Sequence, residues 1–243
     1  MRAAGDDVMN SVDVVSPTRT TRREGLAHCS RILALGLAAL LMPWTANGQA
    51  QALRETVILV VGDSLSAEYG LARGSGWVAL LEQRLAREKI AARVVNASVS
   101  GDTTSGGRSR LPALLTQHRP THVILELGGN DALRGLPLAM TQDNLSVMAR
   151  AARAAGAQVL IAGMQVPPNY GRRYTQDFSA LFAAVAKAEN AALVPFLLKG
   201  VADVADSESM FQPDRIHPNA SAHPIILANV WPALAPLLAR RPR

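Results

Sequence analysis

Four short polar stretches carry the residue types that acyl transfer requires: Gly62-Asp63-Ser64-Leu65-Ser66, the run from Asn96 to Gly107, Leu127-Gly128-Gly129-Asn130-Asp131, and the run from Gln212 to Asn219. Serine is a weak nucleophile until a base takes its proton, and a histidine oriented by a carboxylate does this. Asp214 and His217 are three residues apart. One tight turn can therefore set the carboxylate beside the ring nitrogen that faces away from the serine. The tetrahedral intermediate carries an oxyanion that needs fixed donors. The backbone N–H groups of Ser64 and Gly101 and the side-chain amide of Asn130 can supply three. Gly101 suits the task because a missing side chain lets the backbone come close to a ligand.

Each stretch has a plainer reading when taken alone. Ser64 could cap the following helix, as serine often does. Gly128-Gly129-Asn130-Asp131 could be only a turn. The glycine-rich run 101–107 could cradle phosphate, but it lacks the Lys-Ser/Thr ending of a P-loop. His217 could be a satisfied structural histidine. His118 and His122 have no acidic partner at a telling spacing, and His223 falls on the terminal helix; all three are read as structural. What argues for chemistry is the set.

The elements that must hold these stretches follow from hydrophobic periodicity. Apolar runs predict strands at Val57–Val61, Ala92–Asn96, His122–Leu127, Gln158–Ala162 and Ala192–Phe196. Amphipathic patterns predict helices over Trp77–Lys89, Arg108–Gln117, Leu138–Ala155, Tyr174–Glu189 and Ala220–Leu238. Strands alternating with helices of this length imply a parallel sheet. The fold class is α/β: a three-layer, flavodoxin-like domain with a five-stranded parallel sheet and helices on both faces. The four polar stretches then stand at or just beyond strand ends on one edge, where open α/β sheets bind ligands.

Composition narrows the classes further. The chain has 243 residues, 49% hydrophobic and 18% charged, with a formal charge of +6. Its Arg-Arg pairs at 22–23, 172–173 and 240–241 are isolated. With no basic helix and no zinc-finger spacing, nucleic acid is not an expected partner. The single cysteine, Cys29, excludes an internal disulfide and a cysteine metal site. No metal and no cofactor are expected.

Residues 1–52 read as a signal peptide with an N-terminal extension, and residues 53–243 as the catalytic domain. Arginines at 19, 22, 23 and 31 precede an apolar run from Ile32 to Trp44, and small residues follow, with cleavage expected after Ala50 or Ala52. The run is short of the ~20 residues of a membrane span, although an uncleaved anchor is the competing reading. Thr21 to Leu26 half-resembles a twin-arginine export signal, with Gly25 in place of a bulky apolar residue. The polar part before the apolar run is long, which is compatible with a true start downstream of Met1. The expectation is a periplasmic or secreted protein, monomeric or weakly dimeric, with no membrane span after cleavage.

The four stretches, in this order, resemble the signature blocks of the SGNH (GDSL) hydrolases. The resemblance is closest to the thioesterase I/lysophospholipase/arylesterase branch. It is carried by Asn96-Ala-Ser-Val-Ser-Gly-Asp-Thr-Thr-Ser-Gly-Gly107, Glu126-Leu-Gly-Gly-Asn-Asp131, Pro168-Asn-Tyr-Gly-Arg-Arg-Tyr174 and Phe196-Leu-Leu-Lys-Gly-Val201, and it spans residue 56 to the last helix. It implies the flavodoxin-like sheet, a Ser64–His217–Asp214 triad, and an oxyanion hole from Ser64, Gly101 and Asn130. It also implies metal-free hydrolysis of acyl or aryl esters, thioesters or lysophospholipids. Arg215 departs from the branch's usual glycine and His223 from its frequent glutamine. The ordinary lipase elbow is excluded because residue 66 is serine, not glycine. From their position beside the site, Leu65, Leu136, Val166 and Pro168 are expected to contact the acyl chain. The alternatives are a carbohydrate O-acetylesterase and a non-enzymatic flavodoxin-like binding protein.

Overall fold

The computed structural model describes residues 55–239; the expected signal segment, residues 1–52, lies outside them. Five strands, β1 (Thr56–Gly62), β2 (Ala92–Asn96), β3 (His122–Glu126), β4 (Gln158–Ala162) and β5 (Ala192–Val194), form one parallel sheet in the order β2-β1-β3-β4-β5. Among them run α1 (Trp77–Arg87), α2 (Thr104–His118), α3 (Gly129–Leu133), α4 (Leu138–Ala154), α5 (Arg172–Ala188) and α6 (His223–Leu238). Helix α1 packs with α6, while α2 packs with α4 and α4 with α5, giving a helical layer on each face.

Val57 to Val61 of β1 and Val123 to Leu125 of β3 are buried, which is why both read as unbroken apolar runs. The strand order reverses between β1 and β3. A crevice opens at the carboxyl ends of strands at such a switch point. Ser64 follows β1 and Asn130 follows β3, so the two flank it. The register pairs Gly62 with Glu126, and this sets the side chain of Glu126 against the turn that carries Ser64.

All of the expected strands and helices are present, and most of their differences lie at ends. Helix α2 starts at Thr104, four residues before the expected Arg108. The glycines argue against helix there, but tertiary contacts override them. The Thr103 hydroxyl accepts from Gly106 N–H at 3.3 Å, and the buried Asp131 carboxylate accepts from Thr104 N–H at 2.9 Å. A carboxylate at a helix N-terminus also meets the favourable end of the helix dipole. Gly107 permits close helix–sheet packing, since a Cβ there would stand 2.3 Å from Leu127 Cδ1. Short α3 was not expected. Ala220–Ala222 is a 3-10 turn rather than the first turn of α6. Residues 220–238 are long and apolar enough to cross a membrane by composition, but Ile226, Val230 and Leu234 are buried in the core.

Candidate active site

Gly62 ends β1, and the chain turns at once. Asp63 Oδ1 accepts from Leu65 N–H at 3.0 Å, while Asp63 C=O accepts from Ser66 and Ala67 N–H. This tight local bonding lifts Ser64 out at the sheet edge. The Asp214–His217 turn forms in the same way: Asp214 Oδ1 accepts from the backbone N–H of Ile216 at 2.9 Å and of His217 at 3.0 Å. The free oxygen, Oδ2, lies 2.7 Å from His217 Nδ1. A carboxylate can only accept, so Nδ1 carries the proton and Nε2 is left as the acceptor. Ser64 Oγ stands 2.9 Å from Nε2. Hydrogen bonds from the His217 ring, then from the backbone N–H groups of His217 and Ile216, hold the Asp214 carboxyl down at about 2. It is therefore ionised at neutral pH.

The three expected oxyanion donors converge on the same edge. Among the described residues, neither Ser64 N–H nor Gly101 N–H has an intramolecular acceptor. Gly101 has φ +77°, and its carbonyl accepts from Arg134 Nη2 at 2.8 Å, which holds the peptide in place. Asn130 Nδ2 donates one N–H to Asp63 Oδ2 at 3.0 Å. The amide's second N–H remains for a ligand.

Sequence reasoning gave Asp63 no role of its own. It is in fact almost fully buried and grips both the Ser64 turn and the Asn130 amide. Burial pushes its carboxyl up to about 6. Beneath it lies Glu126, fully buried, whose Oε2 accepts from Ser66 Oγ–H at 2.7 Å and from Asp63 N–H at 3.3 Å. Burial first, and the charge of Asp63 second, hold Glu126 well above the usual carboxylate range. Its Oε1 has no hydrogen-bond partner among the described residues. Trp77 Nε1–H donates to Ser66 Oγ at 3.2 Å and completes this floor. The only signal for Glu126 was a charged residue closing an apolar strand.

Arg110 ties the neighbouring loops together, with Nε on Asp102 Oδ2 at 2.8 Å, Nη2 on Gly62 C=O at 3.2 Å and Nη1 on Ala97 C=O. The Tyr69 ring lies over His217 with centroids 4.3 Å apart; this contact was also missed. His223 is structural, as expected: its Nδ1 accepts from Trp77 N–H at 3.0 Å. Buried His122 lies within 3.3 Å of the Leu237 carbonyl, far from this edge.

Of the residues expected at the acyl chain, Leu65 and Val166 are buried in the core, Leu136 is half-buried, and Pro168 opens a 3-10 turn ending at Tyr170. A cavity of about 490 Å³ opens beside that turn, lined by Leu138, Tyr170, Gly171, Arg172, Tyr174 and neighbours. A second cavity, about 480 Å³, lies at the amino ends of β4 and β5, away from Ser64. Among the described residues, no three His, Cys, Asp or Glu side chains are grouped as metal ligands.

Residues 60–225 match the model of the GDSL-like Lipase/Acylhydrolase family. The chain is 57% identical over 181 residues to Esterase TesA of Pseudomonas aeruginosa, an alignment covering 74% of this chain and 89% of that protein. It is 41% identical over 181 residues to Thioesterase 1/protease 1/lysophospholipase L1 of Escherichia coli, covering 74% of this chain and 84% of the relative. The crystal structure of the psychrotrophic esterase EstA from Pseudoalteromonas superposes with a TM-score of 0.71 at 38% identity, covering 76% of this chain and 100% of that one.

Proposed function

Because the chain belongs to the GDSL-like lipase/acylhydrolase family, we propose that its hydrolysis of esters and thioesters runs through a Ser64–His217–Asp214 triad and an acyl-enzyme. The observation that carries this reading is the unbroken line from Asp214 Oδ2 to His217 Nδ1, 2.7 Å, and from His217 Nε2 to Ser64 Oγ, 2.9 Å.

Ser64 Oγ attacks the acyl carbonyl carbon as its proton passes to His217 Nε2. Asp214 keeps the ring in the required tautomer and faces the imidazolium that forms. The carbonyl oxygen becomes an oxyanion, held by the N–H groups of Ser64 and Gly101 and by the second N–H of Asn130. Collapse of the intermediate breaks the bond to the leaving oxygen or sulfur, which takes the proton from Nε2. Water then attacks the acyl-enzyme by the same route, with His217 as base, and the acid departs with Ser64 restored.

The substrates are acyl or aryl esters, thioesters or lysophospholipids, with the acyl chain running past Leu65, Leu136, Val166 and Pro168. Support for that path is positional: these residues lie on the segments that follow β1, β3 and β4. Export to the periplasm or beyond rests on the charge and apolar pattern of residues 1–52, and the intact mass of the exported protein tests it.

Hydrolysis of p-nitrophenyl esters from acetyl to palmitoyl, with Ser64→Ala alongside, tests the mechanism. Wild type is expected to peak at one chain length, and the variant to lose on the order of 10⁴-fold or more in kcat. Activity surviving in Ser64→Ala would overturn the triad.

A further inference from the structure

We propose that Tyr69, held in place by Gln212, is a positioning residue for His217; the inference rests on the reading of His217 as the general base. Hydrogen bonds at Nδ1 and Nε2 anchor the two ring nitrogens. The freedom left to the imidazole is swinging about its Cα–Cβ and Cβ–Cγ bonds, which carries the N–H and the lone pair off Asp214 and Ser64. A wall against the ring face limits that swing.

Tyr69 is that wall on one face. Its ring centroid is 4.3 Å from that of His217, with the planes tilted by 38°. Burial does not explain the contact, because Tyr69 is 49% exposed. The His217 side chain is itself only 17% exposed, although the loop that carries it lies at the surface. A second property follows from the same geometry. When Nε2 takes the serine proton, a cation forms within reach of an aromatic face, an arrangement that is attractive at such distances.

The backbone of Tyr69 is fastened to the histidine loop through Gln212. Gln212 Nε2 donates to Tyr69 C=O at 2.8 Å and to Pro218 C=O at 3.1 Å, and Gln212 N–H donates to His217 C=O at 2.8 Å. Next to Tyr69, Gly70 has φ +69°, and a Cβ there would stand 2.0 Å from Gln212 Oε1. The glycine makes room for the glutamine. One side chain thus joins the segment that carries the nucleophile to the segment that carries its base.

The test compares Tyr69→Leu, Tyr69→Phe and Gln212→Ala with wild type on p-nitrophenyl butyrate. It also records ring-proton resonances of His217 in the free proteins. Tyr69→Leu is expected to lower kcat about three- to tenfold with little change in KM, and to shift the His217 resonances as the ring current is lost. Tyr69→Phe should keep both near wild type. Gln212→Ala, which leaves the ring but cuts its tether, should lower kcat in the same direction by less. An unchanged kcat in Tyr69→Leu would overturn the proposal, as would a rise in KM alone or a Phe variant as damaged as Leu. Each of these leaves the triad intact, whereas activity in Ser64→Ala would remove the triad itself.

Discussion

Replacing Asp63 by asparagine should exchange activity for a change in how stability depends on pH. An unfolded chain holds this carboxyl at 3.8, and burial lifts it to about 6 in the fold. Between those values the folded state keeps a proton that the unfolded state has released. Wild-type stability therefore falls as pH rises through this window, by about 3 kcal/mol in all. Asparagine cannot titrate and lacks that slope. Its own cost is constant: the amide oxygen keeps the rigid backbone N–H of Leu65, the NH2 then faces Asn130 Nδ2, and a donor–donor conflict in a buried site costs about 1–3 kcal/mol. Glu126, held up partly by the charge of Asp63, changes with the same sign. Asp63→Asn should thus be less stable than wild type below the window and about equal to it above. Its activity should fall toward the ~10²–10³ that losing an oxyanion donor costs, because Asn130 loses the acceptor that aims it. Urea unfolding followed by tryptophan fluorescence, on either side of the window, reads the first effect; ester hydrolysis reads the second. A stability difference that is the same at both pH values, or undiminished turnover, would refute the reasoning.

Two further substitutions probe separate parts of the site. Asn130→Ala should lower kcat by about 10²–10³ with little effect on KM, and a loss under about tenfold in steady-state kinetics would remove Asn130 from the oxyanion hole. Arg215→Gly should raise the melting temperature modestly, since Arg215 has φ +59°, a conformation that costs a non-glycine residue about 1 kcal/mol. The ion pair it gives up, 3.4 Å to Glu208 with both side chains 75% exposed, contributes little; a clear drop in thermal stability would contradict this account.

Strands were legible because a parallel sheet buries β1 and β3 on both faces, leaving an apolar signature that needs no knowledge of neighbours. The start of α2 was not, because Thr104 to Gly107 are poor helix formers locally and are held by Asp131, 27 residues away along the chain. The same division runs through the site. Ser64, Gly101, Asn130, Asp214 and His217 each sit in a stretch whose residue types announce them. Asp63 and Glu126 become partners only through the register that sets Gly62 beside Glu126. Tyr69 meets His217 across 148 positions of sequence, a pairing no local pattern encodes. Arg215 is instructive in the other direction: the departure from glycine noted in the sequence falls on a left-handed backbone position, where glycine would carry no steric penalty.

Ser64 and His217 are separated by 153 positions, with Ser64 after the first strand in the chain and His217 after the last. On the proposed mechanism, a chain made from its amino end carries Ser64 without its base through most of its synthesis. Appearance of activity then reports completion of the whole domain rather than of any part.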